Sequence, residues 1–277
     1  MNIIDAHTHI GTHKDFVNKS QSIDAAAEAL AKEMRASGVS HAIVIAGLAE
    51  KYVCDGESAT NTHLREFAKK YPQMSMVAAI DVKEEGDIDI AFIEQAFQEK
   101  TIVGVKFYPG YQAFYPADIR CEPIYKLCEQ YNVPVIFHSG DTLASKGYIK
   151  YSHPLAIDDV AVAYPNLKII IAHLGNPWMR DVAELLYRHK NVYADISGLF
   201  LKEDVVKDKA MQKMYISWIK EVIAYASPKK LLYGTDYPLV AMKPYIKFAK
   251  TLGIKGKDLE GLMWKNAATI FNLVTSY

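Results

Sequence analysis

Cysteine is scarce in this 277-residue chain, with only Cys54, Cys121 and Cys128. An odd count without metal-type spacing excludes a disulfide scaffold and a thiolate zinc knuckle, and it suits a reducing compartment. Cys121 and Cys128, seven apart on an expected helix, read as small core or surface residues. Long hydrophobic runs are missing too. No apolar stretch reaches the ~18–20 residues of a membrane span, and the opening residues lack the basic region and cleavage site of a secretory signal. Neither sign of charge is in excess: Lys+Arg and Asp+Glu both total 32. A generic nucleic-acid or anionic-membrane binder would carry a basic surplus. The expected partner is therefore a small-molecule substrate, with no nucleic acid and no membrane, and the expected location is cytoplasmic.

Two further absences bear on the fold. No linker, low-complexity segment or charge block splits the chain. No glycine-rich fingerprint follows the first apolar run, because "HTHIGTHKDF" is not G-x-G-x-x-G, so an open dinucleotide-binding sheet lacks support. What is present is a repeated pattern. Short apolar runs stand at 2–7, 41–47, 74–81, 102–108, 133–139, 167–173, 191–197 and 230–236. Most are nearly continuous in apolar character, as parallel strands buried on both faces are. Helix-like stretches lie between them. In the first, Ser22 is a candidate cap, Ile23, Ala27, Leu30 and Met34 form one stripe, and Gly38 is a stop. Pro72, Pro134, Pro165 and Pro228 mark the ends of later helices. Strand–helix alternation repeated eight times predicts an α/β fold, a (β/α)8 TIM barrel, as a single domain over residues 1–277.

In such barrels the reactive groups stand at the C-terminal ends of the strands. The first expected strand ends on His7 and His9, the fourth on Lys106 and then Tyr108, the fifth on His138, the sixth on His173 and the eighth on Asp236. Four of nine histidines thus fall at the reactive end of three strands. Residues two apart on a strand share a face, so His7 and His9 can grip one ion. Imidazole nitrogens with a carboxylate oxygen suit Zn²⁺, or else Mn²⁺, Fe²⁺ or Co²⁺. With no cysteine at these ends, a closed thiolate site is excluded. An ion with an open position lowers the pKa of water to ~7, and a neighbouring carboxylate can take that proton.

The segments "DAHTHIG", "GVKFYPGYQAFYPAD", "VPVIFHSGDT", "IIIAHLGNPW", "NVYADISG" and "LLYGTDYP" together resemble the amidohydrolase superfamily, and within it the branch called amidohydrolase family 2. The resemblance runs from residue 2 to the last helix. It implies His7, His9, His138 and Asp236 as metal ligands, with Asp236 also handling the proton of the water. It implies His173 as a catalytic group beside a single ion, or as a ligand where there are two. Lys106 resembles a lysine that bridges two ions when carboxylated; unmodified, it is a cation aimed at a substrate carboxylate. One zinc ion is the expectation, and two would require carboxylated Lys106 and His173 as added ligands.

The function so implied is metal-dependent hydrolysis of an amide, lactone or ester in a small, carboxylate-bearing substrate. The alternative is decarboxylation or hydration of a small aromatic or unsaturated acid on the same site, since this branch includes all three reactions. A non-catalytic barrel would have lost a ligand type, and none is missing. Tyr108 and Trp178 are the expected substrate contacts, while Tyr111, Phe114, Tyr115 and Tyr237 are either pocket wall or loop packing. His41 reads as structural, His63 and His189 as helix residues, and His13 and His153 as loop residues that can reach substrate. Asp236 has a plain alternative as a helix cap, and so does Asn176; Lys106 has one as a salt-bridge partner. The segment 198–226 is a lid, an ordinary helix or a contact of a homodimer.

Overall fold

The computed structural model describes residues 2–13, 16–48, 56–82, 88–143, 145–201 and 206–273. Cys54 lies outside the described residues. The strands are β1 (Ile4–Thr8), β2 (His41–Ile45), β3 (Met74–Ala79), β4 (Ile102–Phe107), β5 (Val135–Phe137), β6 (Ile169–Ile171), β7 (Val192–Asp195) and β8 (Leu231–Leu232). They form one parallel sheet in sequence order. The sheet closes on itself: Ala6 N–H donates to Tyr233 O at 2.9 Å and Asp236 N–H to His7 O at 2.8 Å. The (β/α)8 barrel expected from the alternation is therefore the fold.

The helices surround it: α1 (Ile23–Ser37), α2 (Asn61–Lys70), α3 (Ile90–Gln98), α4 (Glu122–Tyr131), α5 (Asp158–Ala163), α6 (Met179–Arg188), α7 (Lys209–Tyr225) and α8 (Met242–Lys250). Helix α1 shows why they form where they do. The Ser22 side chain accepts from Ala25 N–H, and Gly38 closes the helix at φ 74°, a left-handed conformation that glycine takes without steric cost. The stripe Ile23, Ala27, Leu30 and Met34 is buried. Removing Leu30, which is fully buried, would cost about 2–5 kcal/mol by the usual large-to-small rule. None of the described helices is long and apolar enough to cross a membrane.

The last helical segment is broken into pieces. After α9 (Gly256–Glu260) comes a π turn at Gly261–Lys265, then α10 (Asn266–Ile270). The Asn266 side chain explains the detour, because it donates to Leu231 O at 2.7 Å and so binds this segment to the start of β8. Ala267, Ala268, Ile270 and Phe271 then pack on inward residues of the strands, among them Ile4, Ile43, Val77, Ile136, Ile170 and Leu232.

Two irregularities in the sheet decide what faces the barrel interior. Ile4 is level with His41, but Thr8 is level with Val44, so β1 slips by one residue against β2 between Asp5 and Thr8. A regular continuation from inward Ile4 would turn positions 7 and 9 outward; the slip turns them inward. In β4, Met76 is level with Ile102 but Ala78 with Val105. That second slip lets Val103 and Lys106, three apart, both face inward.

His41 begins β2, and its Nε2 lies 2.9 Å from Ser75 Oγ, the structural role expected of it. Burial lowers its pKa from 6.5 to about 4. The unfolded chain therefore binds the extra proton more readily between those values, so stability is complete above pH 6.5 and declines as pH falls toward 4. The loss is at most about 3 kcal/mol. Urea unfolding of His41→Asn across this range is expected to show a shallower decline than the wild type; identical slopes would sink this assignment.

Candidate metal centre and active site

His7 is fully buried. Its Nδ1–H donates to Asp195 Oδ2 at 2.8 Å. The ring therefore presents a bare Nε2, which has no hydrogen-bond partner and lies 3.7 Å from Asp236 Oδ1. Burial, and next the Lys106 charge, lower the His7 pKa to about 3, so the ring is neutral. His9 repeats the arrangement: Nδ1–H donates to Ile45 O at 2.9 Å, and Nε2 lies 3.2 Å from Asp236 Oδ1. His138 uses the opposite nitrogen. Its Nε2–H donates to Asp141 O at 3.0 Å, which leaves Nδ1 bare. His173 Nδ1 is 2.9 Å from Ser197 Oγ. The Ser197 hydroxyl proton is given to Asp195 Oδ1 at 2.5 Å, so Nδ1–H must be the donor and Nε2 is the bare nitrogen. Carbonyl and carboxylate oxygens only accept, and that assigns all four tautomers.

Asp236 faces this ring of imidazoles. Burial alone would raise its pKa, but positive charge on the facing groups, His173 first and then His9 and His7 when protonated, outweighs that and holds the carboxyl well below the carboxylate range. The Asp236 carboxylate and the bare Nε2 atoms of His7 and His9 repel at these distances unless a cation lies between them, whereas His173 approaches Asp236 Oδ2 with Nδ1, at 3.9 Å. This donor set fits a divalent ion. One atom each from His7, His9 and Asp236 lie within 4.8 Å of one another, as do atoms of His7, His173 and Asp195. His138 belongs to neither trio; its ring centre is 5.2 Å from that of His173.

Local backbone positions these groups. Ile170 and Ala172 pack in the barrel interior, so strict alternation would turn residue 173 outward. His173 and Leu174 instead adopt φ 58° and 49°, a left-handed pair that re-aims the imidazole. Asp236 is also left-handed, at φ 65°. Non-glycine residues hold such angles only where their surroundings enforce them. Gly198 lets the site close: a Cβ there would stand 2.5 Å from His173 Nδ1 and 3.0 Å from Asp236 Oδ2.

The cluster lines a cavity of about 350 Å³. Lys106 also lines it, 1% exposed, with Nζ lacking any hydrogen-bond partner among the described residues and lying 5.5 Å from the Tyr108 ring centre. Burial lowers its pKa to about 8, against the pull of Asp195 and Asp236. Among the described residues Lys106 has no ion-pair partner within salt-bridge distance, so the salt-bridge alternative has no support there. Tyr108 lines the cavity and donates its hydroxyl to Ala46 O at 2.5 Å. Trp178 does not line it. Its ring packs on His153, with centres 4.7 Å apart, and it faces a neighbouring depression. The placement follows from its position at the start of α6, one turn away from the strand end.

Among the remaining candidates, His13, Tyr111 and Asn176 line the cavity. Phe114 and Tyr237 are core residues, and Tyr115 is exposed. Asp236 caps no helix, since α8 begins at Ala241 without a side-chain cap. His63 forms a capping box with Thr60, and His189 closes α6 beside Asp158. The segment after β7 contributes Leu199, Leu201, Met211 and Tyr215 to the cavity wall.

Sequence reasoning missed Asp195. It ends β7, is 1% exposed, and receives four donors: His7 Nδ1, Ser197 Oγ, His173 N–H at 3.0 Å and Ser197 N–H at 3.1 Å. Burial alone would raise its pKa, but the attraction of the His7 N–H and its hydrogen bond, followed by His173 and the Lys106 ammonium, hold it low. The signal was an Asp at the end of an expected strand, in "ADIS", of the same kind that singled out Asp236.

The sequence profile of the amidohydrolase family 2 matches residues 4–273. No curated protein sequence matches the chain. Among solved structures, an uncharacterized TIM-barrel protein of Bordetella bronchiseptica superposes with TM-score 0.74 at 22% identity, covering 98% of this chain and 99% of that one. A probable 2-pyrone-4,6-dicarboxylic acid hydrolase of Acinetobacter baumannii, with citric acid bound, gives 0.68 at 14%, covering 99% and 100%. A 5-carboxyvanillate decarboxylase of Novosphingobium aromaticivorans, a mutant with manganese and a nitrobenzoic acid bound, gives 0.65 at 15%, covering 88% and 80%.

If Asp195 fixes the His7 tautomer, its removal should weaken metal binding without unfolding the barrel. Calorimetric titration of Asp195→Asn with zinc or manganese is expected to show an affinity about 10–100-fold lower than the wild type. Unchanged affinity in a folded variant would remove Asp195 from that role.

Proposed function

The chain belongs to amidohydrolase family 2, a family of hydrolases and decarboxylases, and from that premise we propose that it is a metal-dependent hydrolase of a small carboxylate-bearing amide, lactone or ester. The observation that carries this reading is the convergence, in one cavity, of four imidazoles each with one bare nitrogen, an ionised Asp236 and the unpartnered ammonium of Lys106. Under this reading His7, His9, His138 and Asp236 hold one divalent ion, with zinc proposed first and manganese next. Such an ion supplies Lewis acidity: it polarises a carbonyl oxygen and acidifies water.

The protein's own groups do the rest. Asp236, held ionised, takes the proton of the attacking water and returns it to the leaving group. His173, its Nδ1 tied to Ser197, keeps Nε2 for the reaction; the water proton taken by Asp236 passes over that nitrogen on its way to the leaving group, and while it is there the N–H steadies the developing oxyanion. Lys106 fixes a substrate carboxylate, a charge-assisted contact in a dry wall. Leu199 and Leu239, also on the cavity wall, add apolar surface to it. The buried, free Cys121 and Cys128 agree with a cytoplasmic setting.

A second reading keeps the site and changes the reaction. The walls are mainly apolar, with Tyr108 and Tyr111 stacked edge to face at 6.2 Å, and they suit a planar ring. An aromatic acid bound there would lose CO₂ as Asp236, having picked up a proton, delivers it to the ring carbon.

Replacing Asp236 by Asn is expected to lower kcat by about 10²–10⁴-fold, the usual worth of a general base, with an unchanged circular dichroism spectrum; wild-type kcat in this variant would refute the role. Removing the metal with a chelator should abolish turnover, and zinc or manganese should restore it. A panel of lactones, amides and hydroxybenzoates then decides between the readings. Release of CO₂ from the last group alone would select decarboxylation.

A further inference from the structure

Beside the catalytic cavity lies a second depression, of about 370 Å³, which the mechanism does not use. Its walls are Trp178 after β6, Ile149 on the loop after β5, and Met214 and Trp218 on α7. It shares Asp141, Asn176 and Tyr215 with the catalytic cavity, so the two depressions adjoin at these residues. Asn176 Nδ2 donates to the Tyr215 hydroxyl at 3.3 Å, forming a polar bar between them. Ile149 is 49% and Met214 36% exposed, which is apolar surface left open to water at the rim of a reactive site.

We propose that this depression is a subsite for the uncharged, apolar or aromatic tail of the substrate. The substrate would then have two parts: a reacting head in the His–Asp chamber and a tail that crosses the Asn176–Tyr215 bar onto Trp178 and Trp218. The inference rests on the reading of the first chamber only for the head. The chemistry of the tail follows from the walls. Two indoles, an isoleucine and a methionine offer apolar area, and no Lys or Arg is among the residues that line the depression. Large apolar residues open at one rim are costly to expose and are recovered by a ligand that covers them. Asp141 also ties the chambers together, because its carbonyl accepts the His138 Nε2–H that fixes that ring.

The test uses the full-length, metal-loaded protein and three probes: benzoate, 5-phenylpentanoate and the neutral 5-phenylpentanamide. Calorimetry on the wild type is expected to show both long probes binding at least about tenfold tighter than benzoate, as burial of one further apolar group allows. Trp218→Ala should remove that advantage and leave benzoate unchanged. Met214→Glu, which places a charge on the rim of α7 without opening the core, should do the same and covers the case in which Trp218→Ala does not fold. Equal affinity of long and short probes, or an advantage that survives both substitutions, overturns the subsite. Lys106→Met separates the two claims. It should weaken both carboxylates and spare the amide. If it spares all three while the tail advantage persists, the carboxylate reading of the first chamber fails and the subsite stands.

Discussion

The centre depends on one buried carboxylate. Asp195 accepts hydrogen bonds from His7 Nδ1–H, the Ser197 hydroxyl and the backbone N–H of His173, and through Ser197 it also sets which nitrogen of His173 carries hydrogen. An ionised group with almost no water around it is expensive unless several donors satisfy it. Here the donors are the groups the site needs oriented, so the cost of burying the charge and the order of the site are the same set of contacts. Asp5 does comparable work beside it: it accepts from Thr235 Oγ at 2.6 Å and Thr235 N–H at 3.0 Å, and so joins β1 to the segment that carries Asp236.

Around that carboxylate the backbone departs from regularity wherever a reactive side chain must turn. One slip in β1 aims His7 and His9, one in β4 aims Lys106, and left-handed residues aim His173 and Asp236. Below this level the strands alternate normally and are filled with Ile, Val and Ala. The barrel is therefore regular where it supplies stability and irregular where it supplies chemistry, and packing of the regular part holds the strained part in place.

Lys106 shows the tension between the two. A buried ammonium without a hydrogen-bond partner destabilises a fold, since its hydration is lost and nothing replaces it. Its neighbours supply attraction at a distance from Asp195 and Asp236 but no direct contact, and its pKa falls to about 8. A charge held in this way is set up to receive an anion, and the apolar wall around it strengthens that attraction by excluding water.

Much of this was legible in the sequence. Eight apolar runs spaced by helical stretches specified the barrel, because strand burial and helix amphipathy are local properties of composition and period. The rule that barrel chemistry sits at strand ends then singled out His7, His9, Lys106, His173 and Asp236, all of which line one cavity. What the sequence could not show was direction. That His7 and His9 share a face follows from a period of two, but that the shared face is the inner one depends on a register slip against β2, a relation between strands. Trp178 stands close to β6 in the sequence, yet the six residues between Ile171 and Trp178 carry it to the next depression. Asp195 was passed over because its importance lies in four donors from three places in the chain, contacts that exist only after the barrel has closed.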